Sequence, residues 1–120
     1  MAFEVNLQTI SVPASADLST KQFLFGTINA SGQVAVTGAG LASDGVIALG
    51  PSAQGRPCGL ASFPGQIARV MAGAAFANGA LLEVDANGKA ITQSSGKIVA
   101  KALSAGASGD IVPVLLILQR

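Results

Sequence analysis

VDANGKAI, residues 84–91, admits three readings: the end of a phosphate-cradling loop, the middle of a calcium loop, or a turn between two strands. A phosphate loop requires a glycine five positions before Gly88, where Glu83 stands, and a Ser or Thr where Ala90 stands. A calcium loop opening at Asp85 requires its glycine sixth, but Gly88 is fourth, and no bidentate glutamate follows at the required distance. What remains is Asp-Ala-Asn-Gly between the β-favourable runs ALLEV and KAIT, which is a hairpin turn.

Worked outward from that turn, the same grammar fills the chain. Short β-favourable runs FLFGTI, QVAVT, DGVIAL, QIARVMA, ALLEVD, KAIT, KIVAKAL and DIVPVLLIL are punctuated at Ser31-Gly32, Asp44-Gly45, Phe63-Pro64-Gly65, Asn78-Gly79, Asn87-Gly88, Ser95-Gly96 and Ser108-Gly109. Such dipeptides supply the positive φ angles of tight turns. VMAGAAFANGALL has helical alanine content, but Gly73 and Asn78-Gly79 interrupt it. The spacing predicts an all-β fold, a small β-sandwich or barrel of short antiparallel strands. Pro113 cannot donate a ladder hydrogen bond, so the last strand is expected at an edge or with a bulge. INASGQVAVT (28–37) and VDANGKAIT (84–92) share a pattern of aliphatic, Asn or Asp, Ala, small polar, Gly and a short alternating strand. That echo fits either a duplication or two hairpins obeying the same turn rules.

The first residues alternate, with Phe3, Val5 and Leu7 on one side and Glu4, Asn6 and Gln8 on the other, as in a half-buried strand. SVPASADLST then reads as a linker, with Asp17 able to cap one short helical turn. The expected organisation is therefore an N-terminal strand or arm with linker over residues 1–15 and a single β domain over residues 16–120. Such an arm can add to the edge of a sheet on another chain, which makes Phe3, Val5 and Leu7 the candidate intersubunit contact, or it can pair within its own domain.

Composition limits the chemistry. Half of the 120 residues are hydrophobic and only 11% are charged, against about 25% in an ordinary soluble domain. Histidine, tryptophan and tyrosine are absent, which removes the commonest general base and metal ligand together with the best stacking rings. A net charge of +1 gives no basic patch, so no nucleic acid is expected as a partner. Cys58, the one cysteine, can build neither an internal disulfide nor a zinc site and reads as a small packed residue. Glu4 sits where a secretory signal would be positive, and the longest apolar run, IVPVLLIL (111–118), is too short for a membrane span. Synthesis in a cytosol and no membrane partner are expected.

Catalytic fragments fare no better. Ser94 and Lys97 have the spacing of a serine acyl enzyme, but in a glycine-containing turn rather than on a helix. Glu83 and Asp85 fall on one face of one strand, which reads as solvated surface rather than a cleft-flanking glycosidase pair. TGAG (37–40) lacks a third glycine and a βαβ context, and KQFLF reads as a strand with Phe23 and Phe25 in the core. No catalytic residue, metal ligand or cofactor site is expected. So sparsely charged an exterior is instead expected to be covered by neighbours in an assembly.

ADLSTKQFLFGTINASGQVAVTGAG (16–40), SDGVIALGPSAQGRPCGLA (43–61), GQIARVMAGAAFANGALLEVDANGKAI (65–91) and GKIVAKALSAGASGDIVPVLLI (96–117) follow one another in an order that resembles the head decoration, or capsid cement, proteins of tailed bacteriophages. Phe23-Leu24-Phe25 departs from the more usual tyrosine-containing run, and residues 1–12 match no segment of the pattern. The resemblance implies a non-enzymatic structural virion protein, made in the host bacterial cytoplasm. It would dock on the outer surface of the capsid as a homotrimer and cement subunits of the major capsid protein, with Phe3, Val5 and Leu7 as the candidate capsid or intersubunit contact. The rival expectation is another phage assembly component, such as a tail or adhesin β-module binding host carbohydrate.

Overall fold

A computed structural model describes residues 8–49 and 53–120, and the candidate contacts Phe3, Val5 and Leu7 lie outside them. Among the described residues there are ten strands and no helix: β1 (Thr9–Pro13), β2 (Phe25–Ile28), β3 (Val34–Val36), β4 (Gly45–Leu49), β5 (Pro57–Ala61), β6 (Ile67–Met71), β7 (Leu81–Val84), β8 (Ala90–Thr92), β9 (Ala100–Ala102) and β10 (Ile111–Leu116). All ladders are antiparallel. They form two five-stranded sheets, ordered β1-β5-β4-β2-β3 and β6-β10-β9-β7-β8.

These two orders are the same order. Adding five to each strand number of the first sheet gives the second, so the chain is built from two units of one topology. Each sheet curls until its outer strands meet through a parallel bridge, Ala14 with Val34 in the first and Ala72 with Ala90 in the second. The turns agree bond for bond. Asn29 Oδ1 accepts from the N–H groups of Ser31 and Gln33 at 3.0 and 3.1 Å, and Asp85 Oδ1 accepts from Asn87 and Lys89 at 2.8 and 2.9 Å. Ala14 N–H donates to Arg56 C=O at 2.9 Å, and Ala72 N–H to Asp110 C=O at 2.8 Å. The echo between residues 28–37 and 84–92 is therefore part of a repeat that spans both halves.

Each curled sheet has its own interior. Val12, Ala14, Leu18, Val34, Ile47, Cys58 and Leu60 fill the first, and their counterparts Val70, Ala72, Phe76, Ala90, Ala102, Val112 and Val114 line the second. Volume is exchanged between positions. Gly26 stands where the second unit has Leu82, and a Cβ on Gly26 would lie 2.8 Å from Val34 Cγ2, 3.2 Å from Leu60 Cδ1 and 3.3 Å from Ile47 Cγ1. Those three residues are larger than Ala90, Val114 and Ala102, so the side chain missing at Gly26 is replaced by bulk arriving from its neighbours, as close packing requires.

The units meet through the outer face of the first sheet. Phe25, Val46, Ala48 and Ala61 point away from their own interior and join the core of the second unit. Four backbone bonds tie the seam: Phe25 N–H to Gly88 C=O (2.9 Å), Met71 N–H to Phe23 C=O (3.0 Å), Gly40 N–H to Val84 C=O (2.9 Å) and Lys97 N–H to Gly40 C=O (3.0 Å).

Several expectations change. The stretch read as linker supplies strand: Ser11, Val12 and Pro13 pair with Gly59, Cys58 and Pro57, and Val12 is buried. β10 is interior to its sheet, not at an edge. Pro113 is tolerated because β9 pairs with β10 only over Val114–Leu116; beyond that ladder the Pro113 carbonyl still accepts from Leu103 N–H at 3.1 Å. Phe25 is fully buried, but Phe23 is only half-buried and has φ +70. Its counterpart is Gly79 (φ +84), and both N–H groups donate to a fourth-strand residue, Ile47 or Ala102. Phe23 thus holds a position suited to glycine, at a cost of roughly 1–2 kcal/mol, with its carbonyl engaged in the seam.

Candidate interaction surface

Every carboxylate among the described residues works on the backbone. Asp17 accepts from Ser19 N–H, Asp44 from Ile28 N–H, Glu83 from Ser94 N–H, Asp85 from Asn87 and Lys89, and Asp110 from Ala107 N–H. Asp44 also pairs with Arg120. Glu83 is not solvated surface as expected: it is 6% exposed, and Ser94 donates to it from both N–H (2.6 Å) and Oγ (2.9 Å). The Ser94 N–H bond first, and then the hydroxyl bond, hold its carboxyl below the usual value. Asp85 closes a turn instead of facing Glu83 across a cleft.

Ser94 and Lys97 lie on the loop that Glu83 anchors, and Lys97 uses its N–H for the seam. TGAG belongs to the corresponding loop of the first unit, and the two loops touch: a Cβ on Gly96 would come 2.6 Å from Gly40 Cα. Cys58 is 3% exposed, its Sγ donates to Val12 C=O at 3.5 Å, and burial pushes the thiol upward, away from reactivity. Among the described residues no three His, Cys, Asp or Glu side chains gather as a metal site.

What the structure does assemble is an apolar face on the outside of the second sheet. Register fixes its members. Met71 lies opposite Ile111, Arg69 opposite Pro113, and Ile67 opposite Leu115; Leu115 is also opposite Lys101, and Lys101 opposite Leu81. All share one face, since directly paired residues project to the same side. Leu81 is 42% and Ile111 40% exposed, and the only charges on these paired positions are the cations Arg69 and Lys101. The sequence carried a signal for this face. IVPVLLIL does not alternate, and a strand apolar on both sides is normally covered on both.

No protein-family model matches the chain, and no curated protein matches it. Among solved structures it is similar to the N base of head fiber gp8.5 of bacteriophage phi29, with a TM-score of 0.76 and 14% sequence identity over 96% of this chain and 98% of that one. The two chains share a fold along nearly their whole length.

Proposed function

We propose that this protein is a non-enzymatic structural component of a phage virion that attaches to the outer surface of the head, binds the major capsid protein and stabilises the shell as a homotrimer. The observation that carries this reading is the end-to-end likeness to a head-fiber base, a protein whose place is on a phage head. The engagement of the described carboxylates in turns supports it, as does the apolar exterior of the second sheet. Phe3, Val5 and Leu7, upstream of β1, are assigned a contact with a neighbouring chain, where an alternating segment gains backbone hydrogen bonds by adding to a sheet edge.

The mechanism is mass action. A protein that binds only the assembled shell stabilises it by RT ln(1 + [L]/Kd), about 4 kcal/mol at a thousandfold excess over Kd, repeated at each site. An oligomer spanning several shell subunits gains further through multivalency. The test is to mix the purified protein with undecorated expanded heads and follow co-sedimentation and the melting temperature of the heads. Binding with an upward shift is expected; the absence of both rejects the proposal.

A further inference from the structure

The seam between the units is used once inside the molecule, yet both of its sides recur unused on the surface. On one side of the seam, the turn at Gly88 is wedged against the first unit: a Cβ there would come 2.4 Å from Val36 Cγ1, and its carbonyl accepts from Phe25 N–H. The corresponding turn of the first unit has the same Asx hydrogen bonds and a similar φ at its glycine, +74 against +80. It is exposed, however, and a Cβ on Gly32 would meet nothing within 4 Å.

The receiving side recurs too. Leu24, Phe25, Val36 and Ala61 correspond to Ala80, Leu81, Thr92 and Leu115 at the end of the second sheet where β7 begins and β8 stops; Leu81 and Leu115 project outward, and Thr92, paired with Leu82, projects to the other side. Phe25 and Ala61 are fully buried, whereas Leu81 is 42% exposed and Thr92 is exposed. What covers this sheet end in the first unit is a second unit of the same fold, so the occupant that fits it in the second unit is the first unit of another copy.

We infer that the protein self-associates head to tail, the exposed turn at Gly32 of one copy seating on the sheet end formed by Ala80, Leu81, Thr92 and Leu115 of the next. Such a contact is heterologous, and it either closes into a ring or runs on as a filament. One residue prevents a plain repetition of the internal seam. The counterpart of Met71 is Pro13, which has no N–H to offer the equivalent of the Phe23 carbonyl, so the contact between copies lacks one of the four backbone bonds of the internal seam. Lys101 replaces buried Val46 and, with Arg69, argues against two such faces pairing about a twofold axis, since each cation would approach its own copy. Its alkyl stem can lie along the contact with the ammonium group in water. This names the surface behind the homotrimer proposed above; the test uses the protein alone, so a failure to bind heads leaves it standing.

Two full-length variants, Ser31→Cys and Thr92→Cys, are purified separately and oxidised alone and as a mixture. Cys58, 3% exposed, stays silent. The mixture is expected to give a disulfide-linked heterodimer and neither variant alone a homodimer. Homodimers of Thr92→Cys alone, or no cross-link in the mixture, overturn the inference. In parallel, sedimentation of the native chain over a concentration series is expected to show association that Leu81→Asp weakens at least about tenfold, the usual loss for a buried interface anchor. Association that Leu81→Asp leaves unchanged, or a native chain that stays monomeric throughout, overturns it as well. If Leu81→Asp does not fold, the cross-linking decides.

Discussion

Replacing Gly32 and, separately, Gly88 with alanine turns the repeat into its own control. Both glycines close the same turn with the same hydrogen bonds and with φ of +74 and +80, so the intrinsic cost of an alanine in the left-handed region is common to both, roughly 1–2 kcal/mol. They differ in their surroundings. At Gly32 the new methyl meets nothing within 4 Å; at Gly88 it lands 2.4 Å from Val36 Cγ1 and 3.4 Å from Leu24 Cβ. Val36 is β-branched and stiff about χ1, so relief must come from the seam itself. Overpacking of this kind costs about 1–3 kcal/mol, which sets Gly88→Ala some 2 kcal/mol below Gly32→Ala. The measurement is urea unfolding in solution dilute enough to keep the chain monomeric, with thermal melts alongside. For a domain of this size the gap between the variants corresponds to about 3–6 °C per kcal/mol. Equal losses for the two substitutions would refute the claim that the turn at Gly88 is wedged against the first unit.

Two further outcomes follow from the same contacts. Glu83 has its carboxyl depressed below the ordinary 4.5 by the bonds from Ser94, so its contribution to stability is complete above that value and is lost as pH falls through the lower folded-state value. Glu83→Gln should therefore melt lower than the native chain at pH 7, with the difference shrinking below pH 4.5; a constant difference down to pH 3 would remove the carboxylate from that role. Deleting residues 1–13 strips β1 from β5 and uncovers Cys58, so thiol labelling under native conditions should pass from negligible in the full chain to rapid in the truncated one. Slow labelling of both would mean that β1 is dispensable to the first interior.

The strands were legible where a turn signal bounded an apolar run. Eight of the ten match runs read from sequence, because Asn-Gly, Ser-Gly and Pro-Gly pairs fix local φ angles without help from distant residues. The two that were not legible, β1 and β5, pair with each other. TISVP and PCGLA carry proline, glycine and serine, which weigh toward loop, and they become strands because each gives the other its ladder and because Val12, Cys58 and Leu60 close the first interior. Glu83 was misplaced for a related reason: nothing local announces that the loop carrying Ser94 folds back over it.

The chain's amino acids determined by themselves that it would be a protein of short strands and tight turns, with little means for acid–base chemistry. Turn residues and missing side-chain types act locally and need no partner in space. That it is two copies of one unit was decided only by the tertiary structure. The spacing between corresponding residues shortens along the chain, from Val12/Val70 to Leu60/Val114, and bulk is traded between positions such as Gly26 and Leu82, so neither a fixed period nor residue identity survives to be read. The pairing of sheets also decided which apolar face is covered, since burial is a property of what lies opposite: Phe25 has a unit packed against it, while Leu81, its counterpart, lies open.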